Sequence, residues 1–247
     1  MGTFSIDINC DVGEGIGNEA QIFPFISSCN IACGGHAGTE ESMSEVVDLA
    51  MENGVKIGAH PSYPDKENFG REVLDISKQA LIQSIKEQMF TFQTILNQKD
   101  AQLHHIKAHG ALYNQTAKDG ELAKTYLEAI STYKGEAILY VPFGSVVAEL
   151  AMEMGFQIWY EAFADRNYNA DLSLVSRKLP NSLIENPSLV VEHILPIIKN
   201  HKVKAVNNEF VKIEAKTLCV HGDTASALEI LMYLSQELPN QQVQIQK

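Results

Sequence analysis

A chain of 247 residues with 45% hydrophobic side chains has material for one sizeable core and is too apolar to stay disordered. Its formal net charge of −12 sets it against nucleic acid and anionic membrane surfaces, and no Lys/Arg run opposes that charge. No apolar run approaches the roughly 20 residues that span a bilayer, so the expectation is a cytoplasmic protein folded as one domain over 1–247. The opening MGTFSIDINCDVGE lacks the basic and apolar regions of a signal peptide, and Gly2 opens no acylation motif because position 6 is Ile.

In chain order, FSIDIN (4–9) reads as the first strand and CNIAC (29–33) as the second, followed by an amphipathic helix over 40–53 that Gly54 stops. VKIGAH (55–60) is a third strand, and Ser77 caps a long helix to 97. HHIKAH (104–109) is the fourth strand, with a helix over 119–133 behind it. AILYVP (137–142) and QIWYEAF (157–163) are the fifth and sixth, separated by a helix over 144–154. An irregular stretch containing LSLVSR (172–177) leads to a helix over 187–200 that includes Pro196. HKVKAVNNEFVKIEAK (201–216) alternates apolar and polar residues as a hairpin turning near NNE would. TLCVH (217–221) is the seventh main strand, and a helix from Asp223 to Glu237 closes the chain. Short apolar strands with helices between most of them are the pattern of a parallel α/β fold.

Polar residues gather after these strands. Asn9, Asp11 and Glu14 follow the first, GGHAG with His36 the second, and His60 with a loop reaching Arg71 the third. Lys107 and His109 lie on the fourth, Glu161, Asp165 and Arg166 at the sixth, and His221 and Asp223 at the last. In parallel α/β folds the C-terminal strand ends share one face, so these groups converge. Helix capping accounts for an isolated Asp such as Asp223 but not for titratable clusters at five or six strand ends. His104, His105, His193 and His201 fall at strand starts or on helices, as packing or surface residues. Against 16 lysines the chain keeps three arginines, Arg71, Arg166 and Arg177, in or beside these polar segments. A guanidinium offers carboxylate or phosphate a rigid two-pronged donor that an ammonium cannot copy.

Other chemistries leave weaker marks. Cys10, Cys29, Cys33 and Cys219 have no CxxC spacing and read as buried free thiols, with a nucleophile at Cys10 or Cys33 the lesser option. Gly15-Ile16-Gly17-Asn18-Glu19-Ala20 fits a dinucleotide-binding pattern, but Pro24 interrupts the helix that should follow. No GxxxxGK[ST] phosphate loop occurs. Asp7, Asp11, His36, His60 and His109 offer oxygen and nitrogen ligands to a divalent metal such as zinc, without HExxH or other tight spacing.

DINCDVGE (7–14), NIACGGHAG (30–38), GAHPSYPD (58–65), FGRE (69–72), IKAHGALYN (106–114), EAFADRNY (161–168), LVSR (174–177) and CVHGDT (219–224) together resemble the LamB/YcsF family, in order and over essentially the whole chain. The resemblance implies a single-domain, seven-stranded parallel β/α barrel, TIM-like and similar to the glycoside hydrolase/deacetylase superfamily. It implies the A subunit of a 5-oxoprolinase, which opens 5-oxo-L-proline to L-glutamate with ATP as cosubstrate and with partner B and C subunits, and it leaves room for a homo-oligomer. Residues matching its motifs are Asp11, Glu14, His36, His60, Lys107, His109, Glu161, Asp165, Arg166, Arg177, His221 and Asp223. Three positions depart from the family pattern: Ala108 stands where Pro is usual, and Asp171-Leu172 and Asn207-Asn208-Glu209 replace Asp-Gly turns.

For that reaction the catalytic candidates are Asp11, Glu14, His36, His60, His109, Glu161 and Asp223, with Asp11 or His36 as general base and His109 or His60 as acid. Asn9, Arg71, Lys107, Asp165, Arg166, Arg177 and His221 are the candidates for holding substrate or phosphate, Arg166 or Arg177 as the clamp. Two alternatives stand beside it: a metal-dependent amide or polysaccharide deacetylase on the same barrel, and a non-catalytic component that presents substrate to a partner.

Overall fold

The computed structural model describes residues 4–247; Gly2, considered above for acylation, lies outside them. The strands are β1 (Phe4–Val12), β2 (Ser28–Ala32), β3 (Lys56–His60), β4 (His105–Ile106), β5 (Ile138–Pro142), β6 (Ile158–Phe163), β7 (Lys202–Lys204), β8 (Phe210–Lys212), β9 (Thr217–Cys219) and β10 (Val243–Ile245). The helices are α1 (Glu19–Ile22), α2 (Glu40–Glu52), α3 (Lys78–Gln98), α4 (Gly110–Thr116), α5 (Gly120–Ala129), α6 (Val146–Glu153), α7 (Pro187–Asn200) and α8 (Ala227–Asn240). β1 to β6 and then β9 pair in parallel, and β9 returns to β1 through Asp7↔Thr217, Ile8↔Leu218 and Asn9↔Cys219. That closes the seven-stranded barrel. The region 201–216 forms the antiparallel β7–β8 hairpin, with Asn208 in the left-handed region at φ 68°.

Period-two alternation along β1 sorts its side chains between two environments. Ile6, Ile8, Cys10 and Val12 join the apolar cluster shared with the helices. Asp7, Asn9 and Asp11 bond across the barrel instead. Asp7 Oδ1 accepts from Ser28 Oγ at 2.8 Å and Thr217 Oγ1 at 2.7 Å, while Asn9 Nδ2 donates to Glu161 Oε1 at 2.9 Å. His105 is likewise interior: its Nε2 lies 2.7 Å from Asn30 Oδ1 and its ring stacks on Tyr140 at 4.0 Å. Gly58 makes room for that ring, since a Cβ there would sit 2.1 Å from His105 Nε2. The barrel lumen is a column of bonded polar groups, and the apolar core lies between sheet and helices.

Several boundaries differ from expectation. β4 is two residues long, yet Lys107 N still donates to Ala59 O and His109 N to Pro61 O, so the chain follows β3 to the rim. α4 follows at once, starting at Gly110. The last helix begins at Ala227 with Ser226 as its cap, so Asp223 stands free of it. β10, absent from the sequence reading, adds outside the barrel to the N-terminal half of β1 through Phe4↔Val243 and Ile6↔Ile245. Among the described residues no helix is long and apolar enough to cross a membrane.

Candidate active site

A cavity of about 830 Å³ opens at the C-terminal ends of the strands, lined by Asp11, Glu14, His60, Arg71, Lys107, His109, Glu161, Arg166, Arg177, His221 and Asp223. Its floor is Lys107, 2% exposed. The ammonium lies 2.9 Å from Asp11 Oδ1, 3.0 Å from Glu161 Oε1 and 3.4 Å from Asn9 Oδ1. Burial alone would push this ammonium down, but the Asp11 and Glu161 carboxylates outweigh it and hold it well above the ordinary lysine range. Burial would raise Asp11, yet His60 and Lys107 keep it well below the usual carboxylate range. Glu161 Oε2 and the Tyr113 hydroxyl, both on cavity-lining residues, are buried with no hydrogen-bond partner among the described residues.

One wall is a cluster of imidazoles. His60 Nδ1 lies 2.8 Å from Lys107 O, and His109 Nε2 lies 2.9 Å from Phe69 O. Their other nitrogens, His60 Nε2 and His109 Nδ1, face each other at 3.0 Å. His109 stacks on His36 with ring centroids 3.6 Å apart. His36 Nε2 reaches Glu14 Oε1 at 2.9 Å from behind, and burial with His60 nearby pushes His36 down to about 2. Burial and the charge of Asp11 push Glu14 up to about 7. The wall rests on a strained turn: Phe69 and Gly70 both have positive φ, 55° and 61°, and bulky residues adopt that region only where their surroundings force it.

The opposite wall carries an Asp–His pair. Asp165 is fully buried, and its two oxygens lie 2.9 and 3.0 Å from His221 Nδ1. The same carboxylate accepts the His221 backbone N–H at 3.0 Å, and the His221 ring stacks on Phe163. Burial would raise Asp165, but His221 outweighs it and keeps the carboxylate ionised below its ordinary range. His221 therefore turns Nε2 away from Asp165. At the rim Asp223 pairs with Arg71 and, at 3.5 Å, with Arg177.

Four of the expected site residues do not line the cavity. Asp7 sits deep in the barrel, bonded to Ser28, Thr217 and Lys56, and takes no part in the His60–His109 cluster. Asn9 is fully buried beneath Lys107. Asp165 stands behind His221, and His36 behind Glu14, so each acts through the residue in front of it. Arg166 reaches the cavity but directs Nε to Ser182 O and Nη2 to Val175 O, tying down the 165–184 strap instead of presenting a free fork. Burial raises all four thiols, Cys33 up to about 12, which removes the nucleophile option. Tyr113, Phe69 and Phe163 escaped the sequence reading because an aromatic beside a strand end looks the same whether it packs or lines a site.

Residues 6–247 match the sequence profile described as the LamB/YcsF family. The chain belongs to the LamB/YcsF family. It is 39% identical to the A subunit of 5-oxoprolinase from Oceanobacillus iheyensis, over 99% of this chain and 97% of that protein. It is 38% identical to the corresponding A subunit from Pyrococcus abyssi, over 97% of this chain and 96% of the other. Its fold overlays the lactam utilization protein of Thermus thermophilus with a TM-score of 0.90 at 32% identity, covering 98% of this chain and 99% of that one. By similarity the chain thus stands beside proteins named as 5-oxoprolinase A subunits and as a lactam utilization protein.

Proposed function

We propose that the chain is the lactam-cleaving A subunit of a cytosolic ATP-dependent 5-oxoprolinase, working with B and C subunits to convert 5-oxo-L-proline to L-glutamate. The observation that carries this reading is the Asp165–His221 pair facing the buried Lys107–Glu161 floor across one cavity, in a chain so similar to proteins named as 5-oxoprolinase A subunits.

A lactam amide is resonance-stabilised, and phosphorylating its oxygen from ATP, with release of ADP, makes the ring carbon a far better electrophile. Water then adds to that carbon, His221 Nε2 taking its proton. The C–N bond breaks as the ring nitrogen takes that proton back and the adduct's hydroxyl proton passes to the freed amine, leaving γ-glutamyl phosphate with an ammonium group. A second water releases phosphate and L-glutamate. Asp165 fixes the tautomer that leaves Nε2 basic and steadies the imidazolium between the two transfers. Lys107 stabilises negative charge at the amide oxygen from a water-poor floor. Glu161 Oε2, unpartnered among the described residues, accepts the lactam N–H. Arg177 and Arg71 hold the substrate carboxylate or the phosphoryl group at the rim. A cavity of about 830 Å³ falls within the range that holds drug-sized ligands, more than one small lactam fills, which leaves space for the phosphoryl donor. The B and C subunits complete the ATP site.

The proton-transfer role falls to His221 because His36 lies behind Glu14, while His60 and His109 each bond a carbonyl with one nitrogen and turn the other towards the neighbouring imidazole. In the assembled enzyme His221→Asn should lower kcat for 5-oxoproline at least about 100-fold with KM little changed. A kcat within threefold of wild type excludes the role.

A further inference from the structure

We propose that the chain binds one divalent transition-metal ion, of the zinc or manganese kind, between Asp11, His60 and His109. A neutral imidazole has one N–H and one lone pair, and the hydrogen bond made by one nitrogen decides which it is. His60 spends its N–H on the carbonyl of Lys107, and His109 spends its own on the carbonyl of Phe69; a carbonyl only accepts. His60 Nε2 and His109 Nδ1 are therefore both lone pairs, aimed at each other across 3.0 Å in a pocket where the two residues are 1% and 6% exposed. Asp11 Oδ1 lies 3.4 Å from the first and Glu14 Oε1 3.3 Å from the second. With both rings neutral, Asp11 Oδ1, His60 Nε2 and His109 Nδ1 are three acceptors within 4.8 Å of one another, and a metal ion among them satisfies both imidazole lone pairs.

The spacings fit a metal. Ligands about 2.0–2.1 Å from a tetrahedral ion stand about 3.3 Å apart, against 3.0 Å for His60–His109 and 3.4 Å for His60–Asp11 here. The core of Asp11, His60 and His109 holds its ligand atoms within 4.8 Å of one another. Metal-bound histidines almost always donate their second N–H to a carbonyl or carboxylate, as both of these do. Two imidazoles with carboxylates suit zinc, manganese or ferrous iron and not a hard alkali or alkaline-earth cage. Lys107 touches Asp11 as well, but it has Glu161 as its own counter-ion at 3.0 Å, so the Asp11 carboxylate keeps a negative charge for a metal cation. His36 Nε2, on Glu14 Oε1 at 2.9 Å, orients that carboxylate from outside.

The proposal is independent of the substrate. The full chain, stripped with chelator and dialysed against Zn²⁺ or Mn²⁺, should retain one equivalent by elemental analysis. Titration calorimetry should show His60→Ala and His109→Ala weakening that binding more than about 100-fold, beyond the 10–100-fold typical of an outer partner such as His36. Bound Co²⁺ should give visible d–d absorption that both variants lose. Asp11→Asn, nearly isosteric, guards against variants that fail to fold and should also weaken the site. No stoichiometric uptake by the wild type, uptake unaffected by these substitutions, or an imidazolium ¹⁵N signal at His60 or His109 under saturating metal would overturn it. Metal bound without 5-oxoproline turnover by the assembled enzyme would leave this site standing and sink only the substrate assignment.

Discussion

Lys107 is the residue on which the floor of the cavity depends. Removing its charge by Lys107→Met leaves Asp11 and Glu161 buried without their shared cation, and breaking a buried pair in this way costs about 3–5 kcal/mol; urea denaturation should show the midpoint fall accordingly. The four thiols make a second, simpler case. All are buried and pushed up, so none should react with a thiol-specific reagent at neutral pH until the chain unfolds, when four should react. His193 links residue to pH. Burial holds its ring down to about 4, against 6.5 in an unfolded chain, so the unfolded state binds the extra proton first as pH falls. Its share of stability is whole above about pH 6.5 and is lost towards pH 4. His193→Gln should flatten the difference between denaturation midpoints at pH 7 and pH 4.5; an unchanged difference would show that another group governs it. At this scale the sequence named most of the titratable residues that line the cavity, since such groups at strand ends are visible as text. It did not reveal direction. Arg166 and Arg177 look alike in the chain, yet the fork of one is spent on carbonyls while the other reaches Asp223.

The seven barrel strands were legible because each is a short apolar run bounded by turn residues, and six of the helices because their pattern is bounded by residues such as the Ser77 cap and the Gly54 stop. β10 was not. Three residues after a helix carry too little pattern, and what fixes them is the free N-terminal half of β1. The polar lumen was also hidden, because a strand's sequence does not say which of its two faces meets the helices. Leu172 and Asn208 take left-handed backbone at φ 64° and 68° without being glycine. A left-handed residue also ends α7, where exposed His201 takes the cap conformation at φ 53°. His201→Gly should relieve about 1 kcal/mol of strain and raise Tm by about 2–4 °C in a scanning experiment. Gly70→Ala should act in the opposite sense. Its Cβ would meet His109 Cδ2 and His36 Cβ at 3.0 Å each in a left-handed turn, displacing the imidazole wall and lowering Tm.

The whole molecule is a barrel whose polar column ends in one cavity, and that continuity is what joins residues from β1 to β9 into a single site. Residues as far apart in sequence as Asn9 and Glu161 meet because the sheet closes, a fact that no local pattern contains. The same closure separates the two walls, the imidazole–carboxylate cluster on one side and the Asp165–His221 pair on the other, with Lys107 between them. The relatives that the chain resembles are named as A subunits, and under the proposed function it accordingly stands beside partner subunits. The most direct test is reconstitution of the purified chain with the B and C subunits, ATP and 5-oxoproline, with glutamate and phosphate measured together. Equal amounts of both are expected, with no glutamate when this chain is omitted and none above background when His221→Asn replaces it. An assembled wild-type complex that hydrolyses ATP without forming glutamate, or that forms it without this chain, would contradict the assignment.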